Sequence, residues 1–119
     1  MPDSKTFTGG CHCGQVRFEC TSDLAMVTAC NCSICTKKGL HFTFIPPKSF
    51  QLRAGEENLK EYLFNKHAIR HQLCIDCGVE AFARGIKPDG TEVVAVNVSC
   101  FDNVDLSKIK MTPVDGRSR

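Results

Sequence analysis

Seven of the nine cysteines in this chain fall into three tight clusters, and that spacing narrows the possible folds more than any other feature. The clusters are Cys11 and Cys13 in "GGCHCGQ", Cys30, Cys32 and Cys35 in "ACNCSICTKKG", and Cys74 and Cys77 in "LCIDCGV". Two of them end in Cys-Gly, at Cys13-Gly14 and Cys77-Gly78. That is the form of a metal knuckle, in which glycine takes a positive φ and lets backbone N–H groups face a thiolate sulfur. Knuckles work in pairs, so Cys11, Cys13, Cys74 and Cys77 are expected to make a closed, tetrahedral four-thiolate site, the usual form of structural zinc. Four-cysteine iron has the same spacing and is told apart by colour.

Disulfides are the competing use of so many cysteines. The opening "MPDSKTFTGG" has no apolar secretory run, and no stretch reaches the roughly 18 apolar residues that span a bilayer. The expectation is therefore an intracellular protein, cytoplasmic or otherwise in a reducing compartment, with no membrane partner. There, metal ligands or catalytic thiols outnumber disulfides, and an odd cysteine count strands one thiol in any pairing scheme. A formal charge of +2 gives no steer toward nucleic acid, and none is expected as a partner.

The triplet Cys30, Cys32 and Cys35 is left one ligand short. Three thiolates against a dication give a net charge of about −1, which makes the metal a poorer Lewis acid than a three-histidine site. Such a soft centre suits an incoming sulfur better than water, holding a thiol as its thiolate near neutral pH. A small thiol is the substrate this implies. The alternative is an internal fourth ligand from His41, His67, His71, Cys20 or Cys100, which makes the second zinc structural too.

Period-two runs of β-branched and aromatic residues occur at 15–20, 40–45, 50–54, 59–64, 80–85 and 92–99. Pro46-Pro47, Ala54 to Glu57 and Lys87-Pro88-Asp89-Gly90 punctuate them, the last as a hairpin turn. A mainly β chain with little helix follows, the helical candidates being "CSICTKKG" and "DNVDLSKI". At 119 residues it is read as one domain over 1–119, with a frayed tail from Met111.

The order "GGCHCGQVRFEC", "CNCSIC", "CIDCGV" resembles the glutathione-dependent formaldehyde-activating enzyme family over nearly the whole chain. "CNCSICTKKG" and "FNKHAIRHQLCIDCGVEAF" are most similar to its branch containing the centromere protein V domain. The resemblance implies an Mss4-like β-sandwich of short antiparallel strands with zinc knuckles. It also implies two zincs per chain: a structural one on Cys11, Cys13, Cys74 and Cys77, and a catalytic one on Cys30, Cys32 and Cys35. The reaction implied is addition of glutathione sulfur to formaldehyde, giving S-(hydroxymethyl)glutathione, a carbon–sulfur lyase reaction in the reverse sense. The long basic N-terminal region of centromere protein V has no counterpart here, so a chromatin role is not carried over.

Other side chains have ordinary readings beside functional ones. Lys37 and Lys38 follow the triplet and can steer the carboxylates of glutathione, although two solvated lysines are the commoner case. His41, His67 and His71 can shuttle a proton or serve structure, and His12, between two ligands, is expected to point away from the metal. Cys20 and Cys100 read as buried or site-adjacent thiols. An enzyme with an open second metal and a non-catalytic binding module with two structural zincs are the two classes left, separated by that metal's fourth ligand.

Overall fold

A computed structural model describes residues 5–22, 24, 27–30, 37, 39–63, 69–87, 89–102, 104 and 106–114; of Cys30, Ile69, Lys108 and Val114 it describes the backbone alone. The strands are β1 (Lys5–Gly10), β2 (Arg17–Ser22), β3 (Val27–Cys30), β4 (Phe42–Ile45), β5 (Phe50–Ala54), β6 (Leu59–Leu63), β7 (Ile69–Cys74), β8 (Phe82–Ile86), β9 (Glu92–Asn97) and β10 (Met111–Val114). They form a three-stranded sheet in the order β1-β2-β5 and a seven-stranded sheet in the order β10-β3-β4-β9-β8-β7-β6. Neighbours are antiparallel except β10, which runs parallel to β3. Helix among the described residues is limited to single 3-10 turns, including Leu106–Lys108 inside the "DNVDLSKI" segment, and to Lys37, which is α-helical within "CSICTKKG".

The sandwich follows from which residues each strand turns inward. In β2 the alternation buries Phe18, Cys20 and Ser22, and β5 adds Phe50. From the larger sheet come Ile45, Phe82, Val94 and Val96, so the main core is drawn from both layers. Phe82 is fully buried, its ring centroid 4.7 Å from that of Phe50 across the interface. Arg84 caps both rings, its guanidinium 5.6 Å from the Phe50 centroid and 5.3 Å from that of Phe82. Truncating Phe82→Ala removes that bridge and is expected to cost about 3–5 kcal/mol, read as a lowered denaturation midpoint in urea.

The run "EVVAVN" is apolar at four successive positions because β9 is central and covered on both faces. Val94 and Val96 enter the main core, whereas Ala95 joins Leu40, Phe42 and Ala83 in a second, smaller cluster on the opposite face. The edge strand β6 carries Lys60 and Glu61 and is largely exposed, as an edge that resists further pairing must be.

The hairpin at residues 87–90 joins β8 to β9, closed by Lys87 N–H to the Thr91 carbonyl at 2.8 Å and Gly90 N–H to the Lys87 carbonyl at 2.8 Å. The tail differs from expectation over its first residues: Met111–Val114 is not frayed but paired with Val27–Cys30. Met111 packs against the main core, and Pro113, lacking an N–H, is tolerated because β10 is an edge strand. Residues 115–119 lie outside the described set, as does nearly all of "CSICTKKG".

Candidate metal centre

Each knuckle is a tight turn closed by two backbone hydrogen bonds. After β1, Cys11 N–H donates to the Val16 carbonyl at 3.1 Å and Gly14 N–H to the Cys11 carbonyl at 3.3 Å. At the end of β7, Cys74 N–H donates to the Val79 carbonyl at 3.1 Å and Gly78 N–H to the Cys74 carbonyl at 2.8 Å. Both turns need a left-handed residue, and Gly14 (φ +86°) and Gly78 (φ +77°) supply it.

The four sulfurs Cys11, Cys13, Cys74 and Cys77 lie within 4.8 Å of one another, although their knuckles belong to different sheets. The Cys11–Cys13 and Cys13–Cys74 sulfurs are 3.5 and 3.6 Å apart. A tetrahedral zinc with ~2.3 Å bonds separates its sulfurs by about 3.8 Å, so the cluster fits one ion with little adjustment. A metal here joins the two layers at one end and closes a loop from Cys13 to Cys74, 61 residues apart in sequence.

Three polar residues that sequence spacing does not reveal bind the knuckles together. The Asn58 amide donates to Cys74 Sγ at 3.3 Å and to Asp76 Oδ2 at 3.2 Å, and Gln15 Nε2 also donates to Asp76 Oδ2. Asn58 sits in the 3-10 turn just before β6, and its carbonyl accepts from Ile75 N–H at 2.9 Å. Its only trace in the sequence is an amide in a turn, with no fixed offset from the cysteines. Replacing Asn58 with Leu removes a donor to the Cys74 sulfur and is expected to weaken metal retention about 10-fold, measured by competition with a chromophoric chelator.

The thiols do not share their protons evenly. Burial works against the Cys77 thiolate, yet backbone N–H groups of Val79 and Cys13 outweigh it and hold this thiol down at about 6. Cys74 is also lowered: burial opposes ionisation, and the N–H groups of Cys77 and Asp76 more than compensate. Cys13 goes the other way, to about 12; an N–H from Gln15 favours its thiolate, but burial and the sulfurs of Cys11, Cys74 and Cys77 prevail. A cation must therefore expel the proton on Cys13, and protons compete with it for every ligand. Metal retention under dialysis is expected to fall on acidification, and more steeply below about pH 6, where Cys77 also holds a proton that the metal must displace.

Of the triplet, Cys30 ends β3, while Cys32 and Cys35 lie outside the described residues, as do Lys38 and His67. The chain re-enters at Gly39 and Leu40, and the Leu40 side chain packs in the second cluster. Lys37 and His12 are exposed. His41 is half-buried, its Nδ1 3.1 Å from Ser99 Oγ. His71 is buried, with Nδ1 2.5 Å from Glu80 Oε2. Cys20 fills the main core, where burial pushes its thiol up to about 11 with help from Glu19. Cys100 donates to the Glu80 carbonyl at 3.7 Å and is pushed up to about 12, first by burial and then by the charges of Cys11 and Cys77. Both are kept as neutral thiols. All six cysteines with described side chains are free of disulfides.

Two β-layers joined by paired Cys-Gly knuckles define a small β-sandwich with a four-cysteine cluster that could hold one metal ion. The model of the glutathione-dependent formaldehyde-activating enzyme family matches residues 6–114, and the chain belongs to that family. It is also similar to the crystal structure of a Rhodobacter sphaeroides protein, a structural genomics target, at 27% identity and a TM-score of 0.78, over 89% of this chain and 97% of that one.

Proposed function

We propose that this protein is a zinc-dependent carbon–sulfur lyase that joins glutathione to formaldehyde, forming S-(hydroxymethyl)glutathione, and releases them in the reverse direction. The observation that carries this reading is the family match over residues 6–114. The four-sulfur cluster supports its structural half. In this reading Cys11, Cys13, Cys74 and Cys77 hold a structural zinc, and Cys30, Cys32 and Cys35 hold a second, catalytic zinc whose fourth position is left for substrate. A metal bound by three thiolates supplies a soft site that favours the ionised form of an incoming thiol. The work of the chain is then to position that thiol and to handle two protons, one leaving sulfur and one arriving on the carbonyl oxygen. Lys37 and Lys38 offer cations to the glutathione carboxylates. An intracellular, reducing compartment keeps both the ligands and the substrate as thiols.

The test is a screen of zinc-loaded protein against small thiols with formaldehyde, following thiol consumption above the spontaneous rate. Glutathione is expected to give protein-dependent turnover with two zincs bound per chain. Zinc bound at both sites with no acceleration for any thiol contradicts the enzyme reading and favours a binding module.

A further inference from the structure

The face of the seven-stranded sheet that builds the main core also carries a patch of charge that the core does not cover. Register places Leu63 opposite Arg70, Arg70 opposite Arg84 and Arg84 opposite Val94, one row across β6, β7, β8 and β9. Val94 is buried in the main core, and residues opposite one another in an antiparallel pair share a face, so the whole row looks to the core side. Arg70 and Arg84 are nonetheless exposed, and so is Leu63, at 43%. β5 ends the three-stranded sheet, and its Phe50 reaches only as far as Arg84; Arg70 and Leu63 lie one and two strands further out. Ile86, two residues beyond Arg84 on the same face of β8, is 55% exposed. The result is an open ledge of two guanidiniums flanked by two aliphatic side chains.

Like charges directly opposite on neighbouring strands repel, and a carboxylate nearby is the ordinary remedy. Among the described residues neither arginine has one: the ion pairs there are Arg17–Asp102, Arg53–Glu19 and His71–Glu80. Glu61 shares the face but accepts from Gln72 Nε2 at 2.9 Å, and Glu92, opposite Ile86, pairs with neither arginine. Arg84 is restrained by the Phe50 and Phe82 rings beneath its guanidinium, a contact that leaves N–H donors for a ligand.

Directly opposite residues have Cβ atoms about 4.5–5.5 Å apart, a spacing at which two guanidiniums can each take a carboxylate from one short ligand. Leu63 and Ile86 add apolar contact, which suits a peptide. Nucleic acid fits less well, because a phosphate chain calls for a longer run of cations and unpaired bases for aromatic platforms. The exposed rings of Phe44 and Tyr62 are on the opposite face, in the row of Ala95, Ala83 and His71.

We propose that this ledge docks a short acidic segment of a partner protein, with carboxylates on Arg70 and Arg84 and aliphatic side chains against Leu63 and Ile86. The surface is separate from the four-sulfur cluster. Arg70 is four residues before Cys74 along β7, about 13 Å at the rise of a strand, so a docked segment leaves the knuckles clear. Docking therefore does not depend on the proposed reaction, and either can fail without the other.

The test is fluorescence anisotropy of a labelled peptide of sequence LEELEE, with LQQLQQ as its uncharged analogue, against the metal-loaded full chain at low salt. The acidic peptide is expected to bind about 10-fold or more tighter than the analogue, and less tightly as salt is added. Arg70→Gln is expected to weaken it about 10-fold while strand content is kept and the urea midpoint is no lower, since a repulsion has been removed. Arg84→Gln should weaken it as well, though Arg70 is the cleaner site because Arg84 also caps two rings. Amide shifts on titrating the peptide are expected to cluster at Leu63, Arg70, Arg84 and Ile86. Equal affinity for the two peptides overturns the proposal, as do undiminished binding in both variants and shifts that map elsewhere. Tighter binding of an oligothymidylate than of LEELEE overturns it in favour of nucleic acid. A wild-type dimer in sedimentation that Arg70→Gln splits into monomers also overturns it, by giving the ledge to a second copy of this chain.

Discussion

Stripping the metal from Cys11, Cys13, Cys74 and Cys77 is expected to unfold the chain. The four sulfurs sit where two sheets meet, one knuckle from each. A structural zinc of this type contributes about 10–16 kcal/mol, whereas the whole of a typical domain's net stability is about 5–15 kcal/mol. The core alone is thus not expected to hold the sandwich together. A chelator titration followed by far-UV circular dichroism should show cooperative loss of strand signal as zinc leaves, and Cys77→Ser should show the same loss with no chelator. A fold that persists after complete zinc removal contradicts the structural role.

Cys32→Ser is expected to do the reverse, abolishing turnover while the strands and one zinc remain. In the proposed reaction the triplet holds the metal that receives the substrate sulfur, and a serine hydroxyl is a poor, hard substitute for a thiolate. Zinc content should fall from about two to about one per chain, with an unchanged circular dichroism spectrum. Wild-type turnover in this variant places the chemistry elsewhere. The opposed behaviour of Cys77→Ser and Cys32→Ser is the functional signature of one structural and one catalytic site.

The grouping of Cys11, Cys13, Cys74 and Cys77 was legible because knuckle spacing is a local pattern, and the positive φ of Gly14 and Gly78 was implied by Cys-Gly itself. Strands with clean alternation were equally plain: the run at 50–54 is β5, and the run at 92–99 is β9 followed by a 3-10 turn at Val98–Cys100. Four strands, β1, β3, β7 and β10, have no counterpart among the alternating runs, and for three of them the physical reason is plain. In β7, "IRHQLC", His71 is buried on the face turned away from the main core, a polar residue made tolerable by Glu80, nine positions later. β3, "VTAC", is short, and β10 contains a proline that a parallel edge partner accommodates. Asn58 and Asp76 reach the metal cluster through a contact between the 3-10 turn before β6 and the second knuckle, a tertiary meeting that no spacing rule encodes.

The central claim, one closed site and one open to a substrate sulfur, is tested most directly by loading the protein with cadmium in place of zinc and recording the metal's NMR spectrum. Cadmium shares the preference for thiolates and reports each site as a separate resonance. Two signals are predicted. The one from Cys11, Cys13, Cys74 and Cys77 should stay fixed on addition of glutathione, while the one from Cys30, Cys32 and Cys35 should move to the position of an all-sulfur site. A single resonance, or two that both ignore glutathione, would contradict the account.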